Sequence, residues 1–127
     1  MTLSTCIGQH PWCANCFYAF DDEMMTMIFT SGTETRHIKE ALLNNFVAGN
    51  VVLETSIVGK IQGVQFSGVL SLPEGEAAEK VNNRYLKKFP FAVLMSTTLW
   101  EFRIDYAKMT DNRLGFGKKL IWARDSE

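Results

Sequence analysis

Apolar and polar residues alternate along several short segments of the chain, a pattern typical of strands with one buried and one exposed face. The clearest case lies near the C-terminus, where Trp100, Phe102, Ile104 and Tyr106 alternate with charged residues. We predict that these four side chains share the buried face of a strand. Shorter segments of β character are TLSTCI, WCANCFYAF, MMTMIFT, FVAGNVVLETS, KIQGVQFSGVLSL and LIWAR.

The first three of these segments follow one another closely, with GQHP and DDE as their connections. Parallel neighbours would need crossovers of about a dozen residues or more. We therefore predict that the three segments form an antiparallel meander.

Two segments have helical periodicity. Ile38, Ala41, Leu42 and Asn45 recur at helical spacing and predict the buried face of a short amphipathic helix. The segment PEGEAAEKVNNRYLKKF carries acidic residues at its start and lysines at its end, which complements the dipole of a second helix. The segment FAVLMS predicts one further helical turn.

The order of these elements predicts a mainly β fold. About six or seven strands, mostly antiparallel, with two or three short helices between them indicate a β-barrel with helical insertions. Glycines inside the longer strand segments indicate the bulges with which barrels curve. The 127 residues suffice for one core, so we expect a single domain over residues 1–127.

The composition restricts the partners. The chain is 46% hydrophobic and 21% charged, and its formal net charge is -1. Because there is no broad positive field, we expect neither nucleic acid nor a membrane as a partner. No apolar run approaches the roughly 20 residues of a membrane-spanning helix, and the N-terminus lacks the pattern of a signal peptide. We therefore expect a cytoplasmic protein.

Three cysteines, Cys6, Cys13 and Cys16, argue against a disulfide framework and fit a reducing compartment. Cys13 and Cys16 have the C-x-x-C spacing, but residues three apart in a strand point to opposite faces. His10 and His37 are the only histidines that could complete a zinc site. We predict a structural role for the cysteines and no metal site.

Familiar catalytic motifs are missing from the sequence. It contains no G-x-S-x-G elbow and no H-E-x-x-H, and GFGKK lacks the spacing of a P-loop. The catalytic residues therefore stay unassigned. If the protein is an enzyme, we expect a bound cofactor to supply the reactivity.

The segment TSGTETRH, residues 30–37, lies where a strand ends and a helix begins. The free amides and partial positive charge of a helix start favour an anion. Thr35, Arg36 and His37 add a hydroxyl, a guanidinium that can grip two phosphate oxygens, and an imidazole. The alternative is that Thr33 or Thr35 only caps the helix and that Arg36 lies in solvent.

Two further places offer polar groups. Lys118 and Lys119 follow two glycines and could approach a phosphate, although a charged hairpin loop is the default explanation for them. Gln62 and Gln65 lie within a strand, where a buried amide needs a hydrogen-bond partner such as a planar heterocycle. Because they face opposite sides of a regular strand, we expect only one of them to reach the same ligand.

The segments TLST, WCANCFYAFD, IFTSGTETRH, IQGVQFSG and TDNRLGFGKKLIWARD together resemble the pyridoxamine 5′-phosphate oxidase-like, FMN-binding split β-barrels. Within that superfamily they are most similar to the YhbP-like branch, and the resemblance covers nearly the whole chain. It implies a homodimer that binds FMN in grooves between the subunits, with the phosphate at the helix start after IFT. The positions it assigns to the phosphate end are Phe29, Thr30, Thr35, Arg36 and His37, and we expect Gln65 to contact the flavin ring or its ribityl chain.

The chain departs from the related oxidases in three ways. The segment WCANCFYAFD lacks an arginine and a lysine that meet the phosphate, so we expect weaker phosphate binding or a substitution by Lys118 of the second subunit. IWARDSE lacks the arginine-x-histidine pair that holds the pyridoxal-type substrate, so we do not expect vitamin B6 oxidation. The chain also begins on its first strand, so we expect it to lack the short N-terminal helix of its relatives.

The resemblance implies a homodimeric FMN flavoprotein, an oxidoreductase that moves electrons or hydride between a nicotinamide cofactor and an unassigned acceptor. Two other functions stay open. One is a non-catalytic protein that binds haem or another flavin-like ligand, with His10 available to ligate iron. The other is a dimeric interaction protein without a cofactor.

Overall fold

The computed structural model describes residues 1–94 and 97–125, and this part of the chain forms eight β-strands and two α-helices. They are β1 (Thr2–Ile7), β2 (His10–Asn15), β3 (Tyr18–Asp21), β4 (Thr26–Thr30), α1 (Arg36–Leu43), β5 (Phe46–Val52), β6 (Gln62–Ser71), α2 (Glu76–Lys88), β7 (Leu99–Asp111) and β8 (Lys119–Ala123). Short 3₁₀ turns lie at Val58–Lys60, Pro90–Leu94 and Asn112–Leu114. The predicted mainly β fold is confirmed. Two residues of FAVLMS, Met95 and Ser96, lie outside the described residues.

The strands form one antiparallel sheet in the order β2-β1-β5-β6-β7-β4-β3, with β8 added to β7. β7 is the longest strand, with 13 residues. One edge of β7 pairs along β6, while its other edge pairs first with β4 and then with β8. β7 is therefore the strand that connects the two ends of the sheet. None of the described helices is long and apolar enough to cross a lipid bilayer.

The predicted meander of the first three strand segments is wrong. WCANCFYAF divides at Cys16 and Phe17, so that its first part belongs to β2 and its second part forms most of β3. β2 pairs with β1 and β3 pairs with β4, at opposite ends of the sheet. The reason is that the second edges of β1 and β4 are occupied by β5 and β7. The chain must therefore cross between the two ends of the sheet after β2.

Two clusters of buried side chains lie on opposite faces of the sheet. The larger cluster combines α1 with the inner faces of five strands and includes Leu3, Phe29, Ile38, Phe66, Trp100 and Phe102. The smaller cluster, Ala19, Ile28, Val81 and Tyr85, lies between α2 and the β3–β4 hairpin. Phe29 and Ile28 are neighbours in β4, and they enter different clusters because side chains alternate along a strand. The two helices thus cover opposite faces of the sheet.

The predicted apolar face of α1 is only partly correct. Ile38 and Ala41 are buried, but Leu42 is 63% exposed and Asn45 lies beyond the end of the helix. The helix ends early because the side-chain amide of Asn44 donates a hydrogen bond of 2.9 Å to the carbonyl of Cys6 in β1. This contact ties the end of α1 to the sheet before a further turn can form.

The predicted burial along β7 holds for part of the strand. Trp100, Phe102 and Ile104 are buried, as the alternation predicts, but Tyr106 is 43% exposed. The strand contains a bulge between Ile104 and Tyr106, and the alternation changes phase there.

The bulge results from an unequal count of residues in β6 and β7. Ile104 lies opposite Gly68 and Tyr106 lies opposite Ser67, so Asp105 is an extra residue without a partner in β6. Because the extra residue reverses the two faces, Tyr106 is turned outward.

A glycine at position 68 is required by this bulge. A Cβ atom there would lie 1.8 Å from the carbonyl oxygen of Arg103. We expect Gly68→Ala to lower the free energy of unfolding by about 2 kcal/mol or more, because backbone atoms would have to move. Urea unfolding measures the difference, and Gly59→Ala is the matched control, since a Cβ at position 59 meets nothing within 4 Å. Equal unfolding midpoints for the two variants would contradict the close approach.

Candidate functional site

The start of α1 leaves backbone donors free. Thr35 occupies the N-cap position, as predicted, but its side chain makes no capping hydrogen bond. Its hydroxyl instead donates to the carbonyl of Gly32 at 2.8 Å. The amide of Lys39 is the first to bond within the helix, to the carbonyl of Thr35 at 3.0 Å. The amides of residues 36–38 therefore have neither an intrahelical acceptor nor a side-chain cap.

His37 is held by the strand end that precedes the helix. Its Nε2 lies 2.5 Å from the hydroxyl of Ser31 and 3.4 Å from that of Thr35. Burial lowers the pKa of His37 below its ordinary value. The ring is consequently neutral near pH 7, and it offers a hydrogen bond at this position but no positive charge.

Ser31 is itself fixed by the neighbouring strand. Its amide donates to the carbonyl of Thr98 at 3.0 Å, and its carbonyl accepts from the indole Nε1 of Trp100 at 3.0 Å. Because Trp100 is buried in the core, the Ser31 backbone has a rigid support. The segment that precedes α1 is therefore positioned by the sheet.

Phe29 and Thr30 point to opposite faces of β4. Phe29 is fully buried in the larger core cluster, so a ligand outside the sheet cannot reach its ring. The hydroxyl of Thr30 lies 3.2 Å from the phenolic oxygen of Tyr85 in α2. The hydroxyl of Thr30 is therefore on the side of the sheet that α2 covers, whereas α1 covers the other side.

Arg36 is directed along the helix and away from its start. Its Nε donates to Glu40 at 2.9 Å, and its guanidinium lies 4.1 Å from the ring centroid of Trp12 in β2. The other carboxylate oxygen of Glu40 accepts from the hydroxyl of Thr5 at 2.6 Å. Hydrogen bonds from Thr5 and Arg36 lower the pKa of Glu40, so the carboxylate stays charged and offsets the guanidinium. The predicted alternative that Arg36 lies in solvent is correct in part, because the side chain is 52% exposed, but it is also paired with Glu40.

Gln65 lies far from the start of α1 within one chain. Thr30 is opposite Leu99 at the beginning of β7, whereas Gln65 is opposite Lys108 near its end. Nine residues of strand separate the two positions, which corresponds to about 30 Å along β7. Gln65 is exposed on its strand, and Gln62 donates to the carbonyl of Lys60 at the strand start.

Lys118 belongs to the same distant end of the sheet. Its carbonyl accepts from the amide of Asp111, the last residue of β7, and its side chain is exposed. Asp111 is buried and accepts three hydrogen bonds from Arg113, which lower its pKa. Asn112 bonds to the carbonyls of Val58 and Ile61 at 2.8 and 2.9 Å, so the loops 53–61 and 112–118 are joined. Lys118 thus projects from a loop whose backbone is well anchored.

The seven predicted site residues therefore form two groups. The helix-start group is Phe29, Thr30, Thr35, Arg36 and His37. Of these residues, Phe29 is fully buried in the core. The distant group is Gln65 and Lys118. The contacts add residues that the sequence analysis did not assign, namely Thr5, Trp12, Ser31, Glu40 and Tyr85. Of these five residues, only Ser31 could have been assigned from the sequence, because it lies inside the segment TSGTETRH.

The chain is similar to curated bacterial proteins along most of its length. It is 41% identical over 124 residues to a UPF0306 protein of Yersinia pestis bv. Antiqua (strain Angola), which covers 98% of this chain and 84% of that protein. It is 50% identical over 117 residues to a UPF0306 protein of Cronobacter sakazakii, covering 92% of this chain and 81% of that protein. No protein-family model matches the chain.

Solved structures share the fold at low sequence identity. A haem-binding protein from Mycobacterium smegmatis superposes with a TM-score of 0.80 at 16% identity, over 96% of this chain and 51% of that protein. This chain therefore spans about half the length of that protein. A pyridoxamine 5′-phosphate oxidase-related, FMN-binding protein from Nostoc punctiforme superposes with a TM-score of 0.67 at 8% identity, over 98% of this chain and 80% of that protein. The fold is that of the split β-barrels.

The neutral state of His37 predicts a pH dependence. Because burial lowers the pKa of His37 in the folded chain, the unfolded chain takes up this proton at higher pH. The free energy of unfolding therefore decreases as the pH falls below about 6.5, the ordinary pKa of a histidine side chain. In an NMR titration the ring should titrate below that value, and His37→Gln should lose less stability than the natural chain between about pH 7.5 and 5.5. A titration midpoint at or above 6.5 would contradict the burial of the ring.

Proposed function

Because this chain belongs to the UPF0306 family and folds as a split β-barrel, we propose that it is a homodimeric, FMN-binding flavoprotein. The proposal includes a cytoplasmic location and membership of the YhbP-like branch of the pyridoxamine 5′-phosphate oxidase-like group. The reaction class is oxidoreduction between a nicotinamide cofactor and an acceptor, in which the bound flavin supplies the electron transfer. The residues of this chain bind and orient the flavin.

The observation that carries the proposal is the uncapped start of α1. Within residues 1–94 and 97–125, no group accepts from the amides of residues 36–38, and the hydroxyl of Thr35 is turned away from them. A phosphate offers several charged oxygen acceptors, and the partial positive charge of a helix start favours them. The neutral ring of His37, held by Ser31, adds a hydrogen-bonding group at the same helix start. The donors at this position therefore fit the phosphate end of FMN.

The separation of the two residue groups supports a site built from two chains. Gln65 is paired about 30 Å along β7 from the partner of Thr30, and Lys118 bonds to Asp111 beyond it, so the two groups lie at different ends of this strand. A second copy in the opposite orientation would bring its Gln65 and Lys118 to the helix start of the first. Lys118 would then supply the positive charge that Arg36, paired with Glu40, only partly provides.

Exposed apolar side chains near the distant group support the same assembly. Phe116 is 88% exposed, Leu114 58%, and Ile57 and Val58 54% each. They lie on the two loops that Asn112 joins, and exposed apolar side chains that lie together are typical of protein interfaces. A second subunit that covers these loops would remove them from water.

Haem is the second candidate ligand, because a haem-binding protein shares the fold with a TM-score of 0.80. The ring of His37 is engaged by Ser31, whereas His10 is exposed at the start of β2 and could ligate iron. The absorption spectrum of freshly purified protein distinguishes the two ligands, since haem gives a Soret band and flavin does not.

If the protein binds neither FMN nor haem on titration, a dimeric interaction protein without cofactor becomes the better account.

Arg36 provides a test of the phosphate position. We expect Arg36→Ala to weaken FMN binding by about 1 to 3 kcal/mol, because the phosphate would draw the guanidinium from Glu40 and this charge-assisted hydrogen bond is lost. Glu40→Gln should strengthen FMN binding, since it removes the carboxylate that offsets Arg36. Flavin fluorescence quenching gives the dissociation constants. Arg103→Ala is the matched control, because Arg103 is a half-exposed arginine that pairs with Asp105 instead. An unchanged dissociation constant in Arg36→Ala would show that the Arg36 side chain takes no part in holding the phosphate.

Mixed dimers test whether each site needs two chains. Arg36→Ala and Lys118→Ala damage different halves of the proposed site. In a mixed dimer one site would carry both substitutions and the other would carry none. Random exchange of subunits should therefore restore about a quarter of the natural number of tight FMN sites, because half of the dimers are mixed. If both groups acted within one chain, mixing would restore no sites.

A further inference from the structure

Four side chains form a closed set of contacts between β1, α1 and β2. Thr5 in β1 is directly opposite Trp12 in β2, and its hydroxyl donates to Glu40 at 2.6 Å. Glu40 also accepts from Arg36 at 2.9 Å. The guanidinium of Arg36 lies 4.1 Å from the ring centroid of Trp12, which completes the set. Glu40 and Trp12 thus form a holding site for Arg36.

The members of this set differ in how firmly they are fixed. Thr5 is 2% exposed, and the side chain of Glu40 that it bonds to is mostly buried. Arg36 and Trp12 are each about half-exposed. The carboxylate of the holding site is therefore fixed by β1, and the guanidinium is the part that can leave.

Arg36 is the first residue of α1, where a side chain leans by default toward the start of the helix. The bond to Glu40, four residues later, instead draws the guanidinium along the helix. A change of side-chain rotamer is enough to exchange the two directions, because Arg36 is half-exposed. No movement of the helix backbone is needed.

The contacts that hold Arg36 are weak ones. A cation in the first turn opposes the helix dipole, and an ion pair in which the cation precedes the anion is the less favourable orientation. A half-exposed ion pair and an exposed cation–π contact each change an equilibrium constant by no more than about fivefold. A phosphate ester carries about two negative charges near pH 7, against the single charge of Glu40. A phosphate at the helix start can therefore compete for the guanidinium.

We propose that Glu40 and Trp12 hold Arg36 away from the ligand in the free protein, and that an anionic ligand draws the guanidinium from both. Trp12 is then a positioning residue that acts through Arg36 and lowers the affinity for the ligand. Its ring loses its cation when the ligand binds. The inference rests on the proposed function, because it takes a phosphate at the start of α1 as the ligand.

Trp12→Leu tests the direction of this effect. It removes the aromatic ring and leaves Arg36 and Glu40 in place, so FMN should bind about two- to fivefold more tightly, the equivalent of one exposed cation–π contact. Trp12→Phe keeps a weaker aromatic contact, and its affinity should lie between those of Trp12→Leu and the natural chain. In the Arg36→Ala background, Trp12→Leu should leave the dissociation constant unaltered. A merely structural role of Trp12 does not give a gain in affinity that depends on Arg36.

A second measurement needs no variant and no flavin. Inorganic phosphate is titrated into the isotope-labelled natural chain, with chloride exchanged to keep the ionic strength constant. The NMR signals of the Arg36 Nε and the Trp12 indole Nε1 should shift along one saturation curve. The Nε signal of Arg103, a half-exposed arginine that pairs with Asp105, is the control and should not follow that curve.

Unchanged or weaker FMN binding by a folded Trp12→Leu variant, or an equal gain in the Arg36→Ala background, would overturn the inference. So would Arg36 and Trp12 signals that phosphate does not move, and this result decides if Trp12→Leu is poorly folded. Failure of the proposed function is a different result. If phosphate moves both signals but the chain takes up no FMN, the holding site stands and the flavin proposal falls.

Discussion

The pairing of β6 with β7 across the bulge at Asp105 is the interaction on which the remaining structure depends. On its other edge, β7 holds β4 before the bulge and β8 after it. The bulge also reverses which face of β7 is buried, so that Tyr106 points outward where Ile104 points inward. Gly68 makes this possible, because the carbonyl of Arg103 occupies the space of a side chain. The two ends of β7 thus carry the two groups of candidate site residues.

At the start of α1, hydrogen-bond donors are abundant and free positive charge is scarce. In the described part of the chain nothing accepts from the amides of residues 36–38, while His37 is neutral and Arg36 is paired with Glu40. An anion at this position would be bound mainly by backbone donors, which act as partial charges and fix geometry more than they add affinity. The missing charge is available at the other end of the sheet, on the exposed side chain of Lys118. This division is the physical reason to expect that two chains cooperate in one site.

Local sequence patterns predict the features of this fold that depend on local interactions. The alternation from Trp100 to Ile104 predicts buried side chains, and the charge pattern of PEGEAAEKVNNRYLKKF predicts α2 within a few residues. The pairing of β2 and β3 with opposite ends of the sheet depends on which strand edges are already occupied, and no local pattern contains that information. The contact between Thr30 and Tyr85 and the orientation of Arg36 toward Trp12 are likewise set by distant elements. The position of TSGTETRH at a helix start was predictable, but the direction in which its side chains point was not.

Sedimentation velocity of the FMN-loaded protein, followed at the visible absorption band of flavin, tests the two-chain site most directly. The account predicts that all bound flavin sediments with a species of twice the 14.4 kDa chain mass, and that dilution into single chains releases it. Flavin that sediments with single chains, or a stable dimer that takes up no flavin, would contradict the account.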